Sequence, residues 1–250
     1  MEHQYQDEGE GKIMLDKYHH FCFFKQRIVR KKGSQKIIKE DEYELLLRCK
    51  RGETYVFPGK ELGEAMVDRL EHKQYLKKIE RLLEGVLLNN SEIYSINIDP
   101  QELCYEETFH LFEHFKKENQ RLKIELTEHL PYKREGAYGD VCFLEHVTRL
   151  YELGYEIVLD DFLSGVNGID QLIKLSPFIS RVKISKLIFN KSVCDSTFCA
   201  FIYEMSQLIQ EINPKLSLVI EAEENAEMIE KLSDAWAYQT YYFDQPSKVN

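Results

Sequence analysis

Short apolar runs alternate along the chain with longer amphipathic stretches, and most of the runs end in a polar or charged residue. Ile157-Val158-Leu159 reads as a buried parallel strand that runs into two adjacent carboxylates, Asp160 and Asp161. Unpaired carboxylates are costly to bury, so the pair is expected where the strand exits into its loop. The same grammar recurs. Ile93-Tyr94-Ser95-Ile96 ends in Asn97, and Leu122-Lys123-Ile124 ends in Glu125. Ile179-Ser180-Arg181-Val182 ends in Lys183, and Leu216-Ser217-Leu218-Val219-Ile220 ends in Glu221. Five strands that each deliver a polar group at the C-terminal end describe one rim of an α/β barrel.

The remaining pattern fills in that barrel. Tyr18 to Val29 is a strand-like run, and Arg30 to Gln35 reads as a turn. Tyr43 to Arg48 is a second strand, and a hairpin between the two puts one antiparallel element into an otherwise parallel sheet. Pro58-Gly59 opens a helical region from about Glu61 to Asn89, with Leu62, Met66, Leu70, Ile79, Leu82, Leu83 and Val86 mostly at helical spacing. Further helices are expected from Pro100 to about Glu118, up to Leu153 with Gly154 as C-cap, over 169–175, over 197–212 and over 225–233. A last short strand is expected near Ala237–Gln239. The fold class is therefore α/β, a modified (β/α)8 barrel of the TIM type with one antiparallel strand.

Length agrees with this, since 250 residues suit one such barrel. With an acidic, polar N-terminus, residues 1–17 are expected to form a disordered tail and 18–250 the barrel domain. No apolar run approaches the ~18 residues that span a bilayer, and no secretory signal is visible, so a cytoplasmic location is expected. The formal net charge of −10 argues against DNA binding through a basic face. It leaves room for a small anionic ligand, because metals and a few Lys or Arg residues reverse the sign locally. The six cysteines show no CxxC pair and read as reduced thiols.

Glu44, Asn97, Glu125, Asp160 and Asp161 together would be rich in hard oxygen donors, which suit Mg2+ or Mn2+ better than zinc. Adjacent carboxylates such as Asp160 and Asp161 can serve two ions at once, the arrangement used for in-line phosphoryl displacement. A zinc-peptidase reading of His110-Leu111-Phe112-Glu113-His114 as H-x-x-E-H has no third ligand, and an ordinary exposed helix face accounts for it.

These residues carry a family resemblance that runs from about Phe23 to Pro246. The chain resembles an EAL domain, the cyclic-di-GMP phosphodiesterase family. Gln-Arg-Ile at 26–28 resembles the family's Q-P-I, and Tyr-Glu-Leu-Leu-Leu-Arg at 43–48 resembles its E-A-L-x-R segment. Ser-Ile-Asn-Ile at 95–98 resembles the strand with the metal-binding Asn, and Glu-Leu-Thr-Glu at 125–128 resembles E-x-T-E. Asp-Asp-Phe-Leu-Ser-Gly at 160–165 resembles D-D-F-G-T-G, and Lys-Ile-Ser at 183–185 resembles K-x-D. Glu-Ala-Glu-Glu at 221–224 resembles E-G-V-E, and Gln-Thr-Tyr-Tyr-Phe at 239–243 resembles the terminal Q-G-Y segment. The resemblance implies hydrolysis of cyclic-di-GMP to linear pGpG with two ions, Mg2+ or Mn2+. Glu44, Asn97, Glu125 and Asp160 would hold one ion, and Asp160 with Asp161 the second. Lys183 would position the attacking water, Glu221 would be general base or an added ligand, and Gln239 would complete the polar site. Arg48 would contact a substrate phosphate, with Gln26 and Leu46 lining the dinucleotide pocket. Glu128 and Glu224 would support the loop after Asp161, which in the family often shapes a homodimer interface.

Several positions depart from the family pattern. Leu45 replaces Ala, Arg27 replaces Pro, Ser185 replaces Asp, and Ala222 and Thr240 replace glycines. Leu163 stands where the family has Gly, and Val166-Asn167-Gly168 replaces an aromatic-Ser-Ser run. Gly tolerates backbone angles that Leu disfavours, so a rebuilt loop is expected. The alternative is accordingly an EAL domain without catalysis, acting as a cyclic-di-GMP receptor or a protein-interaction module.

Overall fold

Strand β1 (Phe21–Lys32) runs antiparallel to β2 (Lys36–Arg51), with Gln26 opposite Glu44 and Cys22 opposite Arg48. β3 (Thr54–Val56) folds back on the outer end of β2. This is a computed structural model, and it describes residues 17–32, 36–88, 90–129, 140–189, 193–222 and 224–249. The expected tail lies outside those residues except for Lys17, as do Gly33, the loop residues Pro131 and Gly136, and Glu223.

Two helices, α1 (Gly59–Val67) and α2 (Arg69–Leu88), stand where the pattern suggested one. Asp68 divides them. Its backbone is extended, and its Oδ1 accepts the N–H groups of Leu70 and Glu71, so it ends one helix and caps the next. The region after β4 (Ile93–Ile98) is divided too. A 3-10 turn at Glu102–Cys104 precedes α3 (Glu106–His114), because Tyr105 between them is extended. β5 (Leu122–Leu126), α4 (Asp140–Glu152), β6 (Ile157–Leu159) and α5 (Ile169–Leu175) follow. Gly154 takes the left-handed conformation (φ 90°) just after α4, as a helix stop requires. β7 (Arg181–Ser185), α6 (Asp195–Ile212), β8 (Ser217–Glu221), α7 (Ala226–Lys231) and β9 (Ala237–Gln239) complete the alternation. A short β10 (Ser247–Lys248), which the pattern did not predict, pairs with β1.

Eight strands close into a barrel in the order β1-β9-β8-β7-β6-β5-β4-β2 and back to β1. β1 is antiparallel to both neighbours, and every other pairing within the ring is parallel. Residues that face outward, such as Ile124, Leu126, Val182, Ile184, Leu218 and Ile220, are buried in the core shared with the helices. Among the described residues, no helix is long and apolar enough to cross a membrane.

The barrel interior is polar in two layers. Side chains alternate along a strand, so Glu42, Lys123 and Arg181 make one layer, and Glu44, Glu125 and Lys183 lie two residues further along the same strands. In the lower layer the Arg181 guanidinium grips both oxygens of Glu42, and Lys123 Nζ lies 3.1 Å from Glu42 Oε1. This plug corrects the picture of charges confined to a rim. β7 begins at Arg181, so Lys183 is its middle residue, and Glu44 lies well inside β2.

Candidate active site

Lys183 organises the upper layer. Its ammonium donates to Glu44 Oε2 at 3.0 Å and to Glu125 Oε2 at 2.6 Å. Asp160 Oδ1 at 3.1 Å and Glu221 Oε1 at 2.8 Å complete its surroundings. Five strands therefore converge on one buried cation. Asn97 donates to Glu44 Oε1 at 2.5 Å, and Gln239 donates to both Glu44 Oε2 and Gln26 Oε1.

Asp160 continues the line of β6 through its N–H, which donates to Leu126 O at 3.0 Å. Asp161 then turns into the left-handed region (φ 41°), and Leu163 does the same at φ 75°. The loop is nevertheless pinned. Phe162 N–H donates to Lys183 O, Val166 N–H donates to Glu128 O, and buried Asn167 donates its Nδ2 to Leu126 O at 3.0 Å and Asp160 O at 2.6 Å. Asn167 thus ties β5 to the carboxylate pair, a role read in the sequence only as a departure.

The electrostatics are those of a site with too little positive charge. Burial pushes the Glu125 carboxyl up to about 8 and the Asp160 carboxyl up to about 6, against the pull of Lys183. Burial raises Glu221 well above its ordinary value and raises Asp161 as well, with Glu128 adding to the latter. Glu44 differs. Burial also works against its charge, but Lys183, Gln239 and Asn97 outweigh burial and hold it below the ordinary carboxylate value. Lys183 is likewise disfavoured by burial and is raised by the carboxylates around it.

This donor set fits divalent cations. Asn97 Oδ1, Glu125 Oε1 and Gln239 Oε1 are buried without a hydrogen-bond partner among the described residues, and Asp160 Oδ1 has the Lys183 ammonium at 3.1 Å as an ion-pair neighbour. Each keeps lone pairs for a cation, and oxygen-only ligation suits Mg2+ or Mn2+. Carboxylate oxygens of Glu128, Asp160 and Asp161 lie within 4.8 Å of one another, close enough to share an ion.

A cavity of about 340 Å3 is lined by Leu46, Arg48, Asn97, Glu128, Asp160 and Asp161, among others, and so meets the polar layer through Asn97 and Asp160. Gln26 is not part of that lining. It is buried beside Gln239 and donates to Asp244 O at 3.2 Å. Glu224 accepts the Tyr241 N–H at 2.8 Å and so braces the segment after β9. Glu128 meets the loop after Asp161 through its carbonyl oxygen. His110 and His114 are exposed on α3, and His110 belongs to no group of described residues close enough to share an ion. His114 lies 3.5 Å from Glu84 and 3.8 Å from Glu80 on α2. The sequence reading missed Asp99 and Glu102 in the cavity wall, and the Glu42–Arg181 pair below the site. The recurring charge-x-charge spacing at 42/44, 123/125 and 181/183 was a usable signal for that pair.

Three comparisons bear on this geometry. The EAL domain family model matches residues 59–246, so β1 and β2, with Gln26, Glu44, Leu46 and Arg48, precede the matched part. The oxygen sensor protein DosP of Escherichia coli (strain K12) is 24% identical over 131 residues, which span 52% of this chain and 15% of that protein. An EAL domain protein from Listeria monocytogenes EGD-e superposes with a TM-score of 0.66 at 21% identity, covering 91% of this chain and 89% of its own. Klebsiella pneumoniae BlrP1, solved with manganese and cyclic-di-GMP, superposes with a TM-score of 0.69 at 19% identity over 92% of this chain and 56% of its own.

Proposed function

The chain belongs to the EAL domain family, and on that premise we propose that it is a metal-dependent phosphodiesterase that hydrolyses cyclic-di-GMP to linear pGpG. The observation that carries the reading is the buried Lys183 ammonium among Glu44, Glu125, Asp160 and Glu221, a cluster that reaches, through Asp160, a cavity whose wall holds Arg48. BlrP1, a structural relative, binds cyclic-di-GMP with manganese and also with calcium.

Glu44, Asn97, Glu125 and Asp160 would hold one ion, and Asp160 with Asp161 a second, with Glu128 close enough to contribute. When bound, such ions supply a hydroxide nucleophile at neutral pH and neutralise phosphate charge. Arg48 holds a phosphate oxygen and orients the diester. Lys183 donates hydrogen bonds to the carboxylates and keeps them in place, and it offsets charge as the phosphate enters. Glu221 stands with Oε1 2.8 Å from the Lys183 ammonium, and in its ionised form it would accept the proton of the attacking water. Gln239 fixes Glu44 through a hydrogen bond, and Gln26 holds Gln239 in turn.

The test is incubation with cyclic-di-GMP and Mg2+ or Mn2+, following pGpG by chromatography beside a Glu44→Ala variant. Product from the parent alone supports the reading. A receptor without catalysis is the second reading, favoured by Leu163 at a left-handed position beside Asp161. Tight binding with no product under either metal would establish it instead.

A further inference from the structure

Two helices bring three metal-ligating side chains together outside the cavity. Glu80 and Glu84 stand about one turn apart on α2, and His114 is the last residue of α3. His114 Nε2 lies 3.5 Å from Glu84 Oε1 and 3.8 Å from Glu80 Oε1. One ligand atom from each of the three lies within 4.8 Å of the other two. None of them lines the cavity or touches the Lys183 cluster. Both helices are fixed from beneath, because Ile79 and Leu83 of α2 and Leu111 and Phe112 of α3 are buried in the core. The His114 ring packs edge-on against the buried Phe115, with ring centroids 4.8 Å apart, so its orientation is supported as well. The rest of the H-x-x-E-H run is engaged elsewhere. Glu113 accepts from the Arg149 guanidinium at 3.0 Å, and His110 Nε2 lies 3.8 Å from Glu106 Oε1.

We propose that Glu80, Glu84 and His114 form a surface binding site for a zinc-class divalent cation that clamps α2 to α3. Donors held about 2.0–2.1 Å from a tetrahedral ion stand about 3.4 Å from one another, so the His114–glutamate separations need close only slightly. Three protein ligands leave the fourth position to water. The imidazole nitrogen sets the class of ion: it suits Zn2+, Ni2+ or Cu2+, whereas oxygen donors alone suit Mg2+ or Ca2+. Charge points the same way. Like charges four residues apart on a helix repel each other. A protonated His114 offsets one of the two carboxylate charges, and a dication held by the neutral imidazole offsets both. An exposed ion pair contributes little, while an ion ligated from two helices ties them together in the folded state alone.

The test titrates Zn2+ into the chelator-stripped full chain in millimolar Mg2+ and reads stoichiometry and affinity by calorimetry. The wild type should take up an equivalent of Zn2+ that His114→Ala and Glu84→Gln each bind about tenfold more weakly or worse. His110→Ala should keep that equivalent. The imidazole NMR signal that is missing from His114→Ala should shift or broaden in the wild type when Zn2+ is added. The substituted side chains reach solvent, so the core is left intact, and any Zn2+ that enters the carboxylate layer is common to all four proteins. The proposal is overturned if no Zn2+ binds, because the three residues then form an ion pair only. It is overturned if His114→Ala or Glu84→Gln keeps the wild-type affinity, because the ion then sits elsewhere. It is also overturned if His110→Ala loses the equivalent, since α3 alone then supplies the ligands through the H-x-x-E-H run.

Discussion

Gly165 approaches Glu128 so closely that a Cβ built on it would stand 1.8 Å from the Glu128 carbonyl oxygen. The same oxygen accepts the Val166 N–H, so the loop after β6 is clamped onto the end of β5 where Asp160 and Asp161 project. Gly165 is also left-handed, at φ 49°. Gly165→Ala meets backbone, which cannot swing aside, and adds strain in that conformation. The expected outcome is a loss of about 2 kcal/mol or more in urea unfolding and a fall in pGpG formation of roughly tenfold or more. An unchanged urea midpoint would mean that the loop does not make this approach in solution.

Leu163 presents the opposite case. Its φ of 75° costs a non-glycine residue about 1–2 kcal/mol, but its side chain packs, partly buried, on the core. Leu163→Gly removes the strain and also a packing contribution of about 1–1.5 kcal/mol, half that of a fully buried Leu. The two nearly cancel, so urea stability should change by less than about 1 kcal/mol while hydrolysis is retained. A loss well beyond that would show that packing, not backbone conformation, decides this position.

The donor set predicts a second kind of stabilisation. Four carboxylates surround one ammonium, and several donor oxygens have no partner among the described residues. Divalent ions that bind this arrangement and not the unfolded chain should stabilise chelator-stripped protein by about 2.7 kcal/mol at a hundredfold excess over Kd, read as a rise in its thermal midpoint. Asp160→Asn should remove most of that increment, and chelation should abolish pGpG formation until Mn2+ or Mg2+ is restored. No thermal shift in millimolar Mn2+ would count against these residues as ligands.

Much of the architecture was legible in the strand pattern, because a polar residue after a short apolar run has few places to go but a barrel interior or mouth. Asn97, Glu125, Asp160, Glu221 and Gln239 all stand at or within one residue of a strand's end, and there local periodicity was informative. Lys183 was misplaced along its strand because a buried charge looks like a strand end until its partners across the barrel are known, and β2 begins at Lys36 where the pattern starts a strand at Tyr43. Glu42 and Arg181 escaped notice for the same reason, since each is stable inside only because of the other. The split between α1 and α2 was invisible to hydrophobic spacing, as the cause is one capping side chain, Asp68. Glu102 could not be read at all, because its neighbours on α1 and α2 come from distant parts of the chain.

Glu102 also makes stability depend on pH in a direction that can be measured. Its carboxyl is pushed from an ordinary value near 4.5 up to about 8 by burial, with Asp99 adding to the effect. Between those values the unfolded chain has released the proton and the folded chain keeps it. The folded state therefore binds more protons, and stability falls as pH rises through this window, by up to about 1.4 kcal/mol per pH unit, then levels off above pH 8. Gln at this position does not titrate, yet it can still accept the Asp99 N–H, as Glu102 Oε1 does at 3.1 Å, and donate through its amide. Metal-free Glu125, raised to a similar value, adds its own slope, but wild type and Glu102→Gln share it, so their difference isolates Glu102. Urea unfolding of the two proteins should give similar stabilities at pH 4.5 and a gap on the order of 3–4 kcal/mol in favour of Glu102→Gln at pH 7.5. Parallel curves would mean that Glu102 ionises normally in the folded protein, and that it faces solvent or a cation instead of being buried.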